Sequence, residues 1–151
     1  MLQDFTALDL ETTGLNPKTD KIIEIGAVRI RDGKEAARWE SLVNPGCQIS
    51  NFTEGLTGIR NEELMSAPVI EEVLPALMDF LMNDVLVGHQ ILFDYSFLKK
   101  AAVNQGISAL VLIISGIYTV SQNISGLEIE VGKGGMTSAQ ALEKANAFTA
   151  Q

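Results

Sequence analysis

The stretch Phe5-Thr-Ala-Leu-Asp-Leu-Glu-Thr-Thr-Gly14 places two carboxylates, Asp9 and Glu11, two positions apart at the end of an apolar segment. On a β-strand, residues i and i+2 project from the same face, so the two side chains are expected to lie side by side before Gly14 ends the strand. Neighbouring carboxylates repel each other, and a hard divalent cation bound by their oxygens relieves that repulsion. Taken alone, the D-x-E pattern also fits a solvated acidic turn.

Length and composition predict one domain. The chain has 151 residues, 46% of them hydrophobic, which is enough for one core and too short for two comfortable ones. The longest apolar run, Ala109 to Ile114, is only strand-sized, and the N-terminus has no signal-peptide pattern. The single cysteine, Cys47, excludes an internal disulfide, and we expect it to be a buried thiol. These features favour a cytoplasmic protein without a membrane partner.

The net charge of −8 argues against broad electrostatic binding to nucleic acid. Such binding depends on Lys and Arg side chains that neutralise many phosphates. A small site where a metal ion meets one phosphate remains compatible with an acidic chain. A protein of this kind is expected to bind nucleic acid weakly alone and to rely on a partner for delivery.

Strand patterns dominate the first third of the chain. Residues 5–10, 21–30 and 36–43 are expected to be strands, and Asp32-Gly33 between the last two is a strong two-residue hairpin signal. Three consecutive antiparallel strands are therefore the expected opening of the fold.

Helices are predicted next. Asn61 is expected to begin a short helix, and Pro68 a longer one whose apolar residues recur at helical spacing: Ile70, Val73, Leu74, Leu77, Phe80 and Leu81. Val85 to Gly88 reads as a short strand, and Phe93 to Asn104 as a helix that Gly106 ends. Strands that alternate with helices after an antiparallel opening predict a mixed α/β sheet.

The composition changes after Gly106. Residues 1–106 contain 25 of the 30 charged residues, and residues 107–151 contain only five, with no Asp and no His. Leu110 to Ile114 suggests a further strand and Ser138 to Ala150 an alanine-rich helix. No period is visible in residues 121–137. We therefore treat residues 1–151 as one domain whose last 45 residues are atypical.

A second polar cluster, Gly88-His-Gln-Ile-Leu-Phe-Asp94, lies between an apolar strand and a predicted helix. An acid at the start of a helix gains from the positive end of the helix dipole, so Asp94 also fits a simple first-turn charge. Glycine, histidine, an amide and an aromatic directly before the acid instead favour a site loop.

These two segments resemble the first and second motifs of the DnaQ-like, or DEDD, 3′–5′ exonucleases. The first motif is Asp9-Leu-Glu-Thr-Thr-Gly14 with Ile22-Ile-Glu-Ile-Gly-Ala-Val-Arg-Ile30, and the second is Gly88 to Leu98. Leu56-Thr-Gly-Ile59 and the helix after Pro68 also match. The similarity covers residues 4–105 and is strongest to proofreading members from bacterial DNA polymerase III. It implies an RNase H-like α/β fold.

The resemblance also implies a chemistry. Four acids of the family hold two divalent ions, Mg²⁺ or Mn²⁺, about 3.5–4 Å apart, which activate water for attack on the terminal phosphodiester. Asp9, Glu11 and Asp94 match the first three acids, as catalytic residues and as metal ligands. The resemblance places substrate contacts at the loop after the first strand and in the second motif: Thr12, Thr13, Gly14, Leu15, His89, Gln90 and Phe93.

The third motif of the family is missing. It should supply His or Tyr as general base and Asp as fourth ligand, but the only His is His89 and the last Asp is Asp94. Ala139-Gln-Ala-Leu-Glu-Lys-Ala145 resembles the motif with Ala139 and Lys144 at those two positions. Three explanations stay open: a degenerate relative without activity, weak activity with one ion, or a last segment that is not native family sequence.

Two functions follow from this comparison. The first is a metal-dependent proofreading-type 3′–5′ exonuclease, impaired as written, that acts on single-stranded DNA 3′ ends. The second is an inactive module that binds a nucleoside monophosphate or a replicative polymerase. With three acids and no fourth, one hydrated Mg²⁺ or Mn²⁺ or no ion is expected.

Overall fold

The computed structural model describes residues 3–82 and 84–107 and the backbone of residues 117–119. Five strands form one mixed sheet in the order β3-β2-β1-β4-β5: β1 (Phe5–Thr12), β2 (Ile22–Arg31), β3 (Lys34–Leu42), β4 (Leu86–Gly88) and β5 (Ile117–Thr119). β1, β2 and β3 pair antiparallel, whereas β4 pairs parallel to β1 and to β5. The predicted mixed α/β fold with an antiparallel opening is confirmed.

The β2–β3 hairpin follows the prediction from Asp32-Gly33. Arg31 pairs with Lys34, so the loop has two residues, and both adopt positive φ, 50° at Asp32 and 71° at Gly33. This left-handed pair matches the twist of the flanking strands, and glycine adopts it without steric cost.

Four helices follow the hairpin or separate the later strands: α1 (Asn51–Thr57), α2 (Asn61–Met65), α3 (Ile70–Leu81) and α4 (Ile91–Asn104). α3 buries Val73, Leu74, Leu77 and Leu81 as its periodicity predicts. α4 begins two residues before the predicted Phe93 and ends before Gly106, whose φ is +69°. Among the described residues, no helix combines the length and the apolar character that a bilayer span requires.

α1 was not predicted from the sequence. Ser50 accepts a hydrogen bond from the Thr53 backbone N–H, and Gly58 ends the helix at φ 73°. Both capping signals are present in the sequence, but seven residues are too few to show a helical period. The expectation of a buried Cys47 was wrong, because its thiol is exposed in the loop before α1. The strand predicted at 110–114 and the helix predicted at 138–150 lie outside the described residues.

The core lies mainly between the sheet and helices α3 and α4. Leu8, Leu10, Ile25 and Ala27 point to this side and contact the buried residues of both helices. A bulge opposite the end of β1 leaves Ile23 out of register and turns it towards a second cluster with Ile49, Ile59 and Leu64. Since Leu8 and Leu10 face α3 and α4, the residues that alternate with them along β1, Asp9 and Glu11, face the opposite side of the sheet.

Candidate active site

Asp9 and Glu11 occupy the face of β1 that points away from α3 and α4. Their neighbours Leu8 and Leu10 are buried in the main core, so the period of two directs both carboxylates to the other face. The prediction that the D-x-E pair shares one face of a strand is therefore confirmed. Asp9 lies opposite Gly26 of β2, which has no side chain to occupy the space beside it.

The length difference between β1 and β4 makes room for Asp94. β4 pairs with β1 only at Thr6 and Ala7, whereas β1 continues to Thr12. Gly88, the last residue of β4, passes so close to β1 that a Cβ there would lie 2.9 Å from the Leu8 carbonyl oxygen. The chain then turns into α4 and places Asp94 in the first turn of that helix. Asp94 lies beside the end of β1 that pairs with β2 but extends past its pairing with β4.

Asp94 and Asp9 meet at one backbone group. The Leu10 N–H hydrogen-bonds to both carboxylates, and each of the two interacts electrostatically with Glu11. Asp94 is only 4% exposed. The structure therefore places Asp9 and Asp94, from two distant segments of the chain, close enough to repel each other and to interact electrostatically with Glu11.

Burial and mutual repulsion disfavour the charged forms of these acids. Burial raises the pKa of Asp94 to about 8, and the Asp9 carboxylate adds to the rise. Burial likewise raises the pKa of Asp9 to about 7, with contributions from Glu11 and Glu24, and raises the pKa of Glu11. Carboxyl groups with such pKa values share protons at neutral pH unless a cation is present.

A fourth carboxylate, Glu24, also belongs to this cluster. It lies directly opposite Glu11 in the β1–β2 ladder, is 8% exposed, and contributes to the raised pKa of both Asp9 and Glu11. Sequence reasoning quoted Glu24 within the first motif but assigned it no role. No local signal gave this pairing, because β1 and β2 are joined by a long loop and not by a two-residue turn that would fix their register.

The carboxylate oxygens of this cluster suit a hard cation, although the described residues do not form a complete coordination shell. Carboxylate oxygens are the preferred ligands of Mg²⁺ and Mn²⁺. Within residues 3–82 and 84–107, no group of three or more His, Cys, Asp or Glu side chains converges closely enough to hold an ion. Asp9 and Asp94, which repel each other, are the two carboxylates that could share a cation.

The loop after β1 holds its threonines by internal hydrogen bonds. The Thr12 hydroxyl donates to the Gly14 carbonyl oxygen over 2.6 Å, and the Thr13 hydroxyl donates to Asp20 Oδ1 over 3.3 Å and accepts from the Lys21 N–H. A Cβ on Gly14 would lie 2.5 Å from the Asp20 carboxylate, so a larger residue here would displace the Asp20 side chain. These contacts shape the loop and leave Leu15, 84% exposed, at its surface.

The second-motif residues surround the start of α4. Gln90 is exposed at the N-cap position and makes no side-chain cap hydrogen bond. Phe93 is half-buried and packs against Phe97 with ring centroids 4.9 Å apart. His89 is half-buried and engaged in an interaction within the protein. Ala139 and Lys144 of the third-motif segment lie outside the described residues.

Comparison with known proteins places this geometry in a family. The model of the exonuclease family RNase_T matches residues 6–108, which include both carboxylate motifs. A PolC-type DNA polymerase III of Thermotoga petrophila is 47% identical over 95 residues, 63% of this chain and 7% of the relative. The DNA polymerase III epsilon subunit of Aquifex aeolicus is 38% identical over 96 residues, 64% of this chain and 48% of the relative.

One relative aligns further along the chain. The PolC-type DNA polymerase III of Staphylococcus saprophyticus is 33% identical over 132 residues, 87% of this chain and 9% of the relative. An alignment of that length extends beyond the segment 6–108 that the family model matches. The chain spans less than a tenth of the PolC-type proteins and about half of the epsilon subunit.

Solved structures agree in fold. Escherichia coli exonuclease I in complex with an oligonucleotide superposes with a TM-score of 0.66 at 14% identity, covering 78% of this chain and 28% of that one. The nuclease domain of 3′hExo, a DEDDh family member bound to rAMP, gives 0.58 at 20% identity, covering 70% and 61%. Both share the RNase H-like arrangement. With two motifs, this sheet and a family model over most of its length, the chain belongs to the DnaQ-like exonuclease family.

Proposed function

We propose that this chain is a metal-dependent 3′–5′ exonuclease domain of the proofreading type, acting on single-stranded DNA ends with reduced activity. The observation that carries the proposal is the meeting of Asp9 and Asp94 at the Leu10 N–H, with Glu11 electrostatically coupled to both. Charged carboxylates that are buried next to each other lose hydration and repel each other, so their charges need compensation. A shared cation is the simplest compensation for their repulsion.

Asp9 and Asp94 are the proposed ligands of this cation, Mg²⁺ or Mn²⁺, and Glu11 completes the acidic surface beside them. When bound, a divalent ion neutralises phosphate charge and makes a bound water more acidic. The Leu10 N–H favours the charged form of both carboxylates and so offsets part of the effect of burial. Burial keeps competing water away from that point, which strengthens each electrostatic contact.

The substrate contacts are proposed for the two loops beside the acids. Leu15, almost fully exposed at the tip of the first loop, offers an apolar surface to a terminal base. Phe93 and the amide of Gln90 lie at the start of α4, next to Asp94 in sequence. The hydroxyls of Thr12 and Thr13 are used within the loop, so we assign to Thr12, Thr13 and Gly14 a role in holding the loop backbone against the nucleotide.

The proposed activity is low because of the third motif. Ala139 and Lys144 replace a general base and a fourth ligand. Loss of a general base costs about 10²–10⁴-fold in rate. A lysine in place of the ligand adds a positive charge that opposes a second cation, so we expect one ion per chain.

The same replacements favour a second candidate, an inactive module that binds a nucleoside monophosphate or a polymerase partner in the cytoplasm. The relatives named DNA polymerase III support the idea of a replicative polymerase as partner. In this role the acids would serve to bind a nucleotide without cleaving it. The two candidates differ in one measurable property, which is the release of nucleotides.

A nuclease assay separates the candidates. A 5′-labelled single-stranded oligonucleotide with Mn²⁺ is incubated with the wild type, with Asp9→Ala, and with Asp79→Ala, whose side chain is exposed on α3. A ladder of products shortened one nucleotide at a time, lost in Asp9→Ala and retained in Asp79→Ala, supports the exonuclease. Equal background rates in all three would overturn it and leave the binding module.

A further inference from the structure

A cavity lies away from the acidic cluster. It has a volume of about 280 Å³ and is lined by four segments: the loop before β2, residues 43–46, the start of α3 and the second half of α4. Its lining includes none of Asp9, Glu11 or Asp94. The volume is near the lower end of those found for small-molecule sites in proteins.

Three lysines line this cavity: Lys18, Lys21 and Lys100. None of their ammonium groups forms a salt bridge with a carboxylate of the described residues. By contrast, Arg31 pairs with Asp84 over 2.6 Å and Arg38 with Glu35 over 3.1 Å. In a chain of net charge −8, unpaired cations from two segments thus meet at one concave surface.

Two acids also line the cavity and weaken its positive potential. Asp20 accepts hydrogen bonds from the Thr13 hydroxyl and the Asn16 N–H, so its charge is directed into the loop. Glu71 is exposed in the first turn of α3. The lining therefore keeps a small excess of positive charge, which suits a ligand with a monoanionic or dianionic group.

Backbone and amide groups add hydrogen-bond donors. α3 starts at the cavity, and its N-cap residue Val69 makes no side-chain cap hydrogen bond, while Glu71 and Glu72 in the first turn offset part of the positive charge at this helix end. The Asn104 amide also lines the space, and so does the Asn44 amide, which donates to the Met65 carbonyl oxygen and accepts from the Gly46 N–H. Donors and cations of this kind match the oxygens of a phosphate group.

The remaining wall is apolar. Ile22, Val43 and Phe97, which also belong to the core, are among the apolar residues of the lining. The organic portion of a ligand would contact these apolar side chains, whereas an inorganic anion would gain nothing from them. A lining with both lysines and apolar side chains therefore suits a ligand that has both a charged group and an organic portion.

We propose that this cavity binds a small organic phosphate of mononucleotide size, with the phosphate at Lys18, Lys21 and Lys100 and the organic portion against Phe97. The site is separate from the proposed nuclease centre but is joined to its loop. The Thr13 N–H donates to the Lys21 carbonyl oxygen, and the Thr13 hydroxyl contacts both Asp20 and the Lys21 N–H. A bound ligand would consequently hold the Thr12–Leu15 loop more firmly.

Calorimetric titration with deoxyadenosine monophosphate tests the proposal. EDTA is present throughout, so that metal-dependent binding at the acids does not contribute. The variants are Lys18→Ala with Lys100→Ala, the control pair Lys34→Ala with Lys99→Ala, and Asp9→Ala. We expect at least about a tenfold loss of affinity in the first pair, since two charged contacts are removed, and no change in the other two proteins.

The probes distinguish which part of the ligand is recognised. Adenosine should not bind, and inorganic phosphate should bind more weakly than the nucleotide. The proposal is overturned if the nucleotide does not bind, if adenosine binds equally well, or if Asp9→Ala removes binding. It is also overturned if an oligonucleotide without a terminal phosphate binds more tightly than the mononucleotide and loses this binding in the Lys18→Ala, Lys100→Ala pair. That result would indicate a surface that binds the strand backbone. Because nuclease activity is not measured, failure here leaves the proposed function untouched.

Discussion

Glu11 of β1 lies directly opposite Glu24 of β2 in the antiparallel ladder, so two carboxylates share one face of the sheet. Side chains opposed in this way have Cβ atoms about 4.5–5.5 Å apart, and like charges at this spacing destabilise the sheet. The pair stands beside Asp9, with which both residues interact electrostatically. The structure thus concentrates negative charge where a cation can offset it.

Replacing Glu24 by Gln should change both the stability of the metal-free protein and its affinity for Mn²⁺. We expect the metal-free variant to be more stable than the wild type at pH 8, by about 1 kcal/mol, because repulsion with Asp9 and Glu11 is removed. We expect its affinity for Mn²⁺ to fall by about three- to tenfold, because one negative charge that attracts the cation is removed. Urea denaturation and calorimetric titration measure the two effects. Glu62→Gln, an exposed change on α2, is the control, and equal behaviour of both variants would contradict the assignment.

Stability of the metal-free protein should fall as the pH rises from about 4 to 8. The ordinary pKa of Asp9 and Asp94 is 3.8, whereas their pKa values in the folded protein are about 7 and about 8. Between these limits the folded state binds more protons than the unfolded state, so the free energy of unfolding decreases with pH. The two shifts together predict a total loss of several kcal/mol over this range.

Urea denaturation in EDTA at pH 5 and pH 8.5 measures this loss. Asp94→Asn should flatten the profile, because the asparagine side chain does not titrate, whereas Asp79→Asn should leave it unchanged. A wild type that is equally stable at both pH values would show that Asp9 and Asp94 are not buried together as described.

Mn²⁺ binding should release protons. At pH 7 in the absence of metal, raised pKa values leave Asp9 and Asp94 partly protonated, and a cation displaces those protons. Titration calorimetry in two buffers with different ionisation enthalpies should show about one proton released per ion bound. One ion per chain is expected, and none in Asp94→Ala. Two tight sites would mean that another acid, such as Glu143, has taken the vacant role.

Gly88→Ala should disturb both stability and the acidic cluster. The added Cβ would lie 2.9 Å from the Leu8 carbonyl oxygen and 3.0 Å from Ile91 Cδ1, and the backbone oxygen cannot move without displacing β1. We expect a loss of about 2 kcal/mol in urea denaturation and weaker Mn²⁺ binding, since α4 carries Asp94. Gly55→Ala in α1 is the matched control, because no atom lies within 4 Å of its Cβ. That variant should be as stable as the wild type or slightly more stable.

Local patterns sufficed for most of the fold. The apolar segment of β1, the β-branched residues of β2, the Asp32-Gly33 turn and the helical period of α3 are encoded by neighbouring residues, so the sequence alone determined these elements. The first motif likewise determined that Asp9 and Glu11 share a face, because that follows from strand geometry within three residues. α1 escaped prediction because a helix of seven residues has caps but no measurable period.

Contacts between distant segments were decided only by the tertiary structure. Asp94 reaches Asp9 because β4 pairs parallel with β1 and then stops short, and no local pattern reports where a parallel partner ends. Glu24 joins the acids through the register of two strands connected by a long loop. The lysine-lined cavity needs four segments to pack together, since no one of them is concave by itself. A sequence specifies the type of each side chain and its local direction, but burial and proximity, which set pKa and binding, arise only when the elements pack.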